Sequence, residues 1–234
     1  MTFADTLKQH SDDTWQKILS HRFVMELSSE ILPLNKFVFY LRQDHYFLEE
    51  FSKFLHSAKQ KTNDNKLKEW LDSLYLNTVN FEMEIQRQLL NSLGVSSSSL
   101  SNTANYDFFP CKTTLNYMSY LMNTSSNGTF SEIVSVMAPC PWTYLEIAQK
   151  LSKITIRNEA YRKWVQFYSS TESHRQVAEI KEILNRLGEK VDDESKAKMK
   201  NHFANACKYE YFFWEMAYNL VISVDFALFF PCPF

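Results

Sequence analysis

Three glycines in 234 residues, at 94, 128 and 188, constrain this chain more than any other feature. Tight hairpin turns draw on glycine because it alone adopts left-handed backbone without strain. A chain this poor in glycine is a bad candidate for a turn-rich β protein. It also lacks the material for a phosphate loop of the G-x-G-x-x-G or G-K-[ST] kind. What the chain does carry, in nearly every segment, is an apolar period close to 3.6 residues, the mark of amphipathic helix.

The spacing predicts a first helix over residues 3–19 and a long one opened by Leu32-Pro33-Leu34 and ending near Lys59. The next spans 65–93, with Gly94 as its C′ residue. Residues 95–110 hold four consecutive serines and no period, and read as loop. Shorter helices follow over 113–122 and, from a Thr129/Glu132 capping box, over 129–136. Further helices are expected after Cys140, over 158–167, over 171–187 with Gly188 closing it, and over 193–222. Long helices with short connections define the fold class: all-α, a single-domain antiparallel helical bundle across residues 1–234.

Composition excludes several partners. A net charge of −2 without blocks of like charge gives no reason to expect nucleic acid. The longest apolar stretch, 220–230, is broken by Asp225 and is too short to span a bilayer, so no membrane partner is expected. Residues 1–10 are polar and charged where a signal peptide needs an apolar run, which points to a cytoplasmic protein with reduced thiols. The cysteines, at 111, 140, 207 and 232, form no C-x-x-C pair, and a zinc site is not expected.

Cys140 stands out among them. It lies in Ala138-Pro139-Cys140-Pro141-Trp142, and a helical run continues to Leu151. With Pro141 at the first helical position, Cys140 becomes the N-cap. There its sulfur would face unpaired N–H groups and the positive end of the helix dipole, which favour thiolate. The plainer alternative is a small apolar residue closing a turn. Pro231-Cys232-Pro233 repeats the tripeptide with no helix after it, so the tripeptide alone carries no chemistry.

Two carboxylates sit where apolar side chains belong. Asp44 interrupts the stripe Leu34, Phe37, Leu41, Leu48, Phe51, Leu55. Glu210 lies on the face of Phe203, Ala206, Phe213, Ala217 and Leu220, while Glu215 falls off it as a surface or bridging group. A buried carboxylate without a partner costs several kcal/mol. One reading is a structural Asp bonded to Arg, Tyr or backbone; the other is a general acid or base with a shifted pKa. Aromatic residues surround these points, among them Phe47, Tyr117, Tyr144, Tyr168 and Phe213. Most must be core, yet buried phenols need partners, and such walls suit a flat heteroaromatic ligand. No histidine has Glu three residues before it, which argues against a ferritin-like di-iron site. A haem reading needs one axial histidine, for which His21, His45 or His202 would serve, and predicts a Soret band.

Six segments in order resemble the TenA/thiaminase II (TENA/THI-4) family of haem-oxygenase-like fold. They are His21-Arg22-Phe23-Val24, the run from Phe39 to Leu48, and Asn116-Tyr117-Met118-Ser119-Tyr120-Leu121. Pro139-Cys140-Pro141-Trp142-Thr143-Tyr144, the run from Trp164 to Ser170, and the run from Tyr209 to Tyr218 complete them. The resemblance implies a cofactor-free hydrolase of the family's cysteine-bearing branch. Such an enzyme releases 4-amino-5-hydroxymethyl-2-methylpyrimidine from the aminomethyl pyrimidine or from thiamin, in thiamin salvage. It implies Cys140 as nucleophile, Glu210 as the acid that protonates a ring nitrogen, and Asp44 as the holder of the amino group. Phe47, Tyr117, Tyr144, Tyr168 and Phe213 would line the pocket, no metal is implied, and the assembly would be a homo-oligomer, a tetramer. Phe47 stands where the family commonly has Tyr, and Pro141 where a bulkier residue is frequent. Residues 218–234 form an atypical apolar tail, suited to an oligomer interface. The rival reading is a non-catalytic pyrimidine-binding or regulatory protein of the same fold, which would have no need of the thiol.

Overall fold

Side-chain caps fix where the helices begin. Thr2 and Asp5 form a capping box at the head of α1, Phe3–His10. Thr129 and Glu132 form the expected one at the head of α8, Phe130–Met137, with the Thr129 N–H donating to Glu132 Oε2 over 2.6 Å. Asp64, Asn158, Ser170 and Asp192 accept from free N–H groups in the same way. They start α5 (Asn65–Asn77), α10 (Glu159–Tyr168), α11 (Thr171–Lys190) and α12 (Asp193–Asn219). The remaining helices are α2 (Asp12–Leu19), α3 (Arg22–Ser28), α4 (Leu34–Lys59), α6 (Met83–Ser92), α7 (Lys112–Asn127) and α9 (Pro139–Leu151).

The computed structural model describes residues 1–95 and 109–221, and no strand occurs among them. The all-α architecture is therefore as expected. Most of the serine-rich loop and of the apolar tail, and with them Cys232, lie outside the described residues.

Several boundaries differ from the periodicity. The first helix is two, because the chain turns at Ser11, whose N–H bonds back to Lys8. Lys8 and His10 end one dipole, and Asp12 and Asp13 begin the next, so the local charges favour the break. The 65–93 helix is continuous but carries a π-helical turn, Thr78–Glu82, between α5 and α6. The 113–122 helix extends to Asn127, and 193–222 stops at Asn219, where Leu220 turns left-handed at φ 56°. Residues 22–28, unassigned from periodicity, form α3 with His21 as N-cap. Gly94, at φ +78°, is the expected C′ residue.

Gly188 does not close α11, which runs two residues beyond it. It is buried, and a Cβ there would lie 2.4 Å from the Phe3 ring. This glycine lets α1 lie directly on α11.

The long helices α4 and α12 run through the middle. Tyr40 of α4 stacks on Trp214 of α12 with ring centroids 5.1 Å apart, and Trp15 of α2 stacks on Phe203 of α12 at 5.9 Å. Helix α12 also packs on α7, α8 and α9, and α4 packs on α5, α6 and α7. Glu146 of α9 accepts from the indoles of Trp15 and Trp142 at 2.9 and 2.8 Å and pairs with Lys8 at 2.6 Å. This fixes α9, the cysteine helix, against the N-terminal pair.

The Gly188 contact sets up a test by equilibrium denaturation in urea. Gly188→Ala should destabilise the protein by about 1–2 kcal/mol through overpacking. On a Phe3→Ala background the same change should stabilise by up to about 1 kcal/mol, the helix preference of Ala over Gly.

Candidate active site

Asp44 is held by neutral donors. The Tyr40 hydroxyl donates to Asp44 Oδ2 over 3.0 Å, Gln86 Nε2 donates to the same oxygen, and Trp164 Nε1 donates to the Tyr40 oxygen over 3.1 Å. Both the structural partner and the perturbed acid foreseen for Asp44 are present. Its pKa stands well above the ordinary aspartate range, first because the group is buried and next because the charge of Glu82 is near.

Glu210, from α12, receives the Tyr117 hydroxyl at 2.7 Å. Burial pushes its pKa up to about 7. Behind Tyr117 the ring of Tyr209 stacks at 5.0 Å, which fixes the phenol in place. Glu215 lies apart, bridging His21 Nε2 at 3.0 Å and the Tyr211 hydroxyl at 3.1 Å.

Cys140 corrects the sequence reading. It is the second residue of α9, not its N-cap; Pro139 takes the first position and Ala138, in helical conformation, precedes it. Helices α8 and α9 nearly abut, so the thiol does not crown an open helix end. Its pKa is pushed well above the ordinary thiol value, not lowered. Burial is the main cause, followed by the negative charges of Glu210, Glu82 and Asp44. The dipole at a helix head is outweighed by desolvation and three carboxyl groups.

The sulfur lines a cavity of about 50 Å³ together with Phe47, Tyr144, Tyr168, Met137 and Glu82. Asp44, Tyr117, Glu210 and Phe213 stand behind this wall. Phe47 joins the two groups, its ring 5.1 Å from Tyr117 and 6.0 Å from Phe213, and Tyr144 lies 4.9 Å from Tyr168. All eight residues predicted from the sequence thus converge on one place, brought there by α4, α7, α9, α10 and α12.

Glu82 was not foreseen. It ends the π turn, lines the cavity and has a pKa pushed up to about 7 by burial. The signal was present: Thr78, Glu82 and Gln86 interrupt the stripe between Leu74 and Leu90 at four-residue steps. The Tyr168 hydroxyl is buried, makes no hydrogen bond of ordinary geometry, and interacts with the Glu82 carboxyl. No group of His, Cys, Asp and Glu that could hold a metal occurs among the described residues. His21 is engaged by Glu215 and by the Phe23 N–H, and His202 Nδ1 by the Tyr120 hydroxyl.

Fold and site together define a helical protein with a thiol and carboxyl groups enclosed by aromatic rings. The sequence matches the TENA/THI-4/PQQC family over residues 8–220, and the chain belongs to that family. It is 28% identical over 221 residues to the aminopyrimidine aminohydrolase of Halalkalibacterium halodurans, covering 94% of this chain and 96% of the other. It is 29% identical over 219 residues to the aminopyrimidine aminohydrolase of Bacillus subtilis, covering 94% and 91%. A TenA homologue from P. horikoshii OT3 superposes with a TM-score of 0.82 at 28% identity, over 94% of this chain and 99% of that one. A Shewanella denitrificans domain described as having a haem-oxygenase-like fold reaches 0.70 at 13% identity, covering 92% of both chains, a likeness of fold alone.

The burial of Glu210 has a measurable consequence. Its carboxyl titrates near 7 in the folded chain against an ordinary 4.5, so between those values the folded state keeps a proton that the unfolded state has lost. Its contribution is present at low pH and is lost as the pH rises to about 7. Urea denaturation of wild type and Glu210→Gln at pH 4.5 and 7.5 should show wild type losing up to about 3 kcal/mol relative to the variant. An unchanged difference would place Glu210 in contact with water.

Proposed function

We propose that this chain is an aminopyrimidine aminohydrolase of the thiaminase II type. It hydrolyses 4-amino-5-aminomethyl-2-methylpyrimidine, and thiamin as a second substrate, to the hydroxymethyl pyrimidine in thiamin salvage. The observation that carries this reading is the grouping of Glu210 and Asp44, from two further helices, within electrostatic reach of Cys140 on the wall of an aromatic-lined cavity. A binding protein would need the rings and Asp44 but not a thiol beside an acid. The names of the curated relatives support the same reading. We place the enzyme in the cytoplasm as a homotetramer working without cofactor. Among the described residues no helix is long and apolar enough to cross a membrane.

The raised pKa of Cys140 shapes the mechanism. A thiol held protonated cannot wait as a thiolate; it must lose its proton as it attacks. Glu210 acts on the thiol and, at about 7, is ionised in a large share of molecules at neutral pH. Its carboxylate takes the thiol proton while sulfur bonds to the electron-poor ring carbon. The same proton then passes to the ring nitrogen on which negative charge develops. Asp44 holds the amino group, with Tyr40 and Gln86 fixing its orientation. Phe47, Tyr117, Tyr144, Tyr168 and Phe213 enclose the ring and exclude water. The bond to the 5-methylene substituent then breaks, water takes its place, and sulfur leaves the ring.

Turnover of the aminomethyl pyrimidine and of thiamin, followed by chromatography of the hydroxymethyl product, tests this directly. Wild type should act on at least one. Cys140→Ser should lose at least about a thousandfold in kcat and Glu210→Gln at least about a hundredfold. No product from wild type with either substrate overturns the enzyme reading, and full activity in Cys140→Ser overturns the nucleophile.

A further inference from the structure

One half-buried carboxyl group on the cavity wall has no part in the steps above. Glu82 lies on the same cavity wall as Cys140, Tyr144 and Tyr168. Its charge acts on Asp44 more strongly than that of Glu210 does, and on Cys140 less strongly than that of Glu210. The carboxyl thus acts on both the amino-group holder and the nucleophile and shares a cavity wall with the latter. A π turn, costly in ordinary helix and frequent at functional sites, brings it there. The fold gains nothing visible from it: among the described residues no cation pairs with Glu82, and an apolar side chain would fill the site without the cost of burial. Beside it the Tyr168 hydroxyl, a second buried polar group of the residues that line the cavity, interacts with the Glu82 carboxyl.

We propose that Glu82 is the acid–base residue for the leaving group, holding the proton with which the amine departs and then accepting one from the attacking water. This rests on the hydrolase reading. Once Cys140 has added to the ring and the ring nitrogen is protonated, the C–N bond at the 5-methylene breaks and its electrons go to nitrogen. The amine leaves as ammonia only if it carries a further proton, which the Glu82 carboxyl supplies. The resulting carboxylate takes a proton from water as oxygen bonds to the methylene carbon. Sulfur then departs and recovers its proton through Glu210. The sum is aminomethyl pyrimidine plus water giving hydroxymethyl pyrimidine plus ammonia. The Tyr168 hydroxyl, within reach of Glu82, orients the amine or the water.

The chemistry supplies its own control. A leaving group that is a quaternary ammonium, such as trimethylammonium on the same methylene or the thiazolium of thiamin, departs neutral and needs no proton. Rapid-quench single turnovers would compare release of ammonia from the aminomethyl pyrimidine with release of trimethylamine from the trimethylammonium analogue. In Glu82→Gln, ammonia release should fall about a hundredfold while trimethylamine release stays within about threefold of wild type. Equal loss of both makes Glu82 a shaper of the cavity and overturns the proposal, as does unchanged release of both. Thermal melts of the isosteric variant establish that it is folded. Failure of the hydrolase reading is distinct, because it appears as absence of release from both compounds in wild type.

Discussion

Asp44 and Glu210 are buried, and Glu82 half-buried, around a single thiol, and much of the rest of the structure answers to that constraint. Each ionised carboxylate withdrawn from water costs several kcal/mol unless it is paired. A lysine or arginine is the usual remedy, and it holds the partner as a carboxylate at a low pKa. Here the groups acting on Glu82 and Glu210 are phenols and a thiol, with no cation among them. Asp44 likewise is bonded by Tyr40 and Gln86. Neutral donors satisfy the lone pairs without fixing the charge. The two glutamates remain able to gain and lose protons near neutrality, which is what acid–base chemistry asks of them.

The bundle supplies the rigidity that such a cluster needs. Asp44 sits mid-way along the 26 residues of α4, and Glu210 within the 27 of α12, so neither depends on a loop for its position. The interlocked rings of Tyr40, Trp214, Tyr144 and Trp164 hold the phenols that serve the carboxyls. Cys140 is placed by α9, which Glu146 ties to Lys8 and Trp15 some 130 residues earlier in the chain. Short helices at the N-terminus thus fix the nucleophile that the long helices enclose.

What was legible in the sequence was whatever shows as a break in periodicity. Asp44 and Glu210 were visible because each replaces an apolar residue on a regular stripe. Glu82 breaks a stripe too, but the π turn adds a residue there, so counting at 3.6 loses the phase. Cys140 was found for a reason that the structure does not support. Its helix follows α8 through Ala138 with almost no gap, and local spacing cannot reveal that the end of one helix covers the start of another. Gly188 makes the same point: after an apolar run it reads as a helix stop, and only Phe3, 185 positions earlier, explains why a Cβ is excluded.

The protonation pattern of the resting site follows from these same contacts. With the thiol and Asp44 raised and two glutamates titrating near 7, the pocket at neutral pH is far from carrying four negative charges. Ionisation of the glutamates makes that of Asp44 and Cys140 harder, because their charges are among the causes that raise both groups. A flat, neutral heterocycle can therefore enter without confronting a dense anionic wall. Once it is bound, protons pass from sulfur to Glu210 to ring nitrogen, and between Glu82 and the leaving group, within one enclosed site. Coupling the thiol to a buried acid makes the loss of one proton and the gain of the other a single local event.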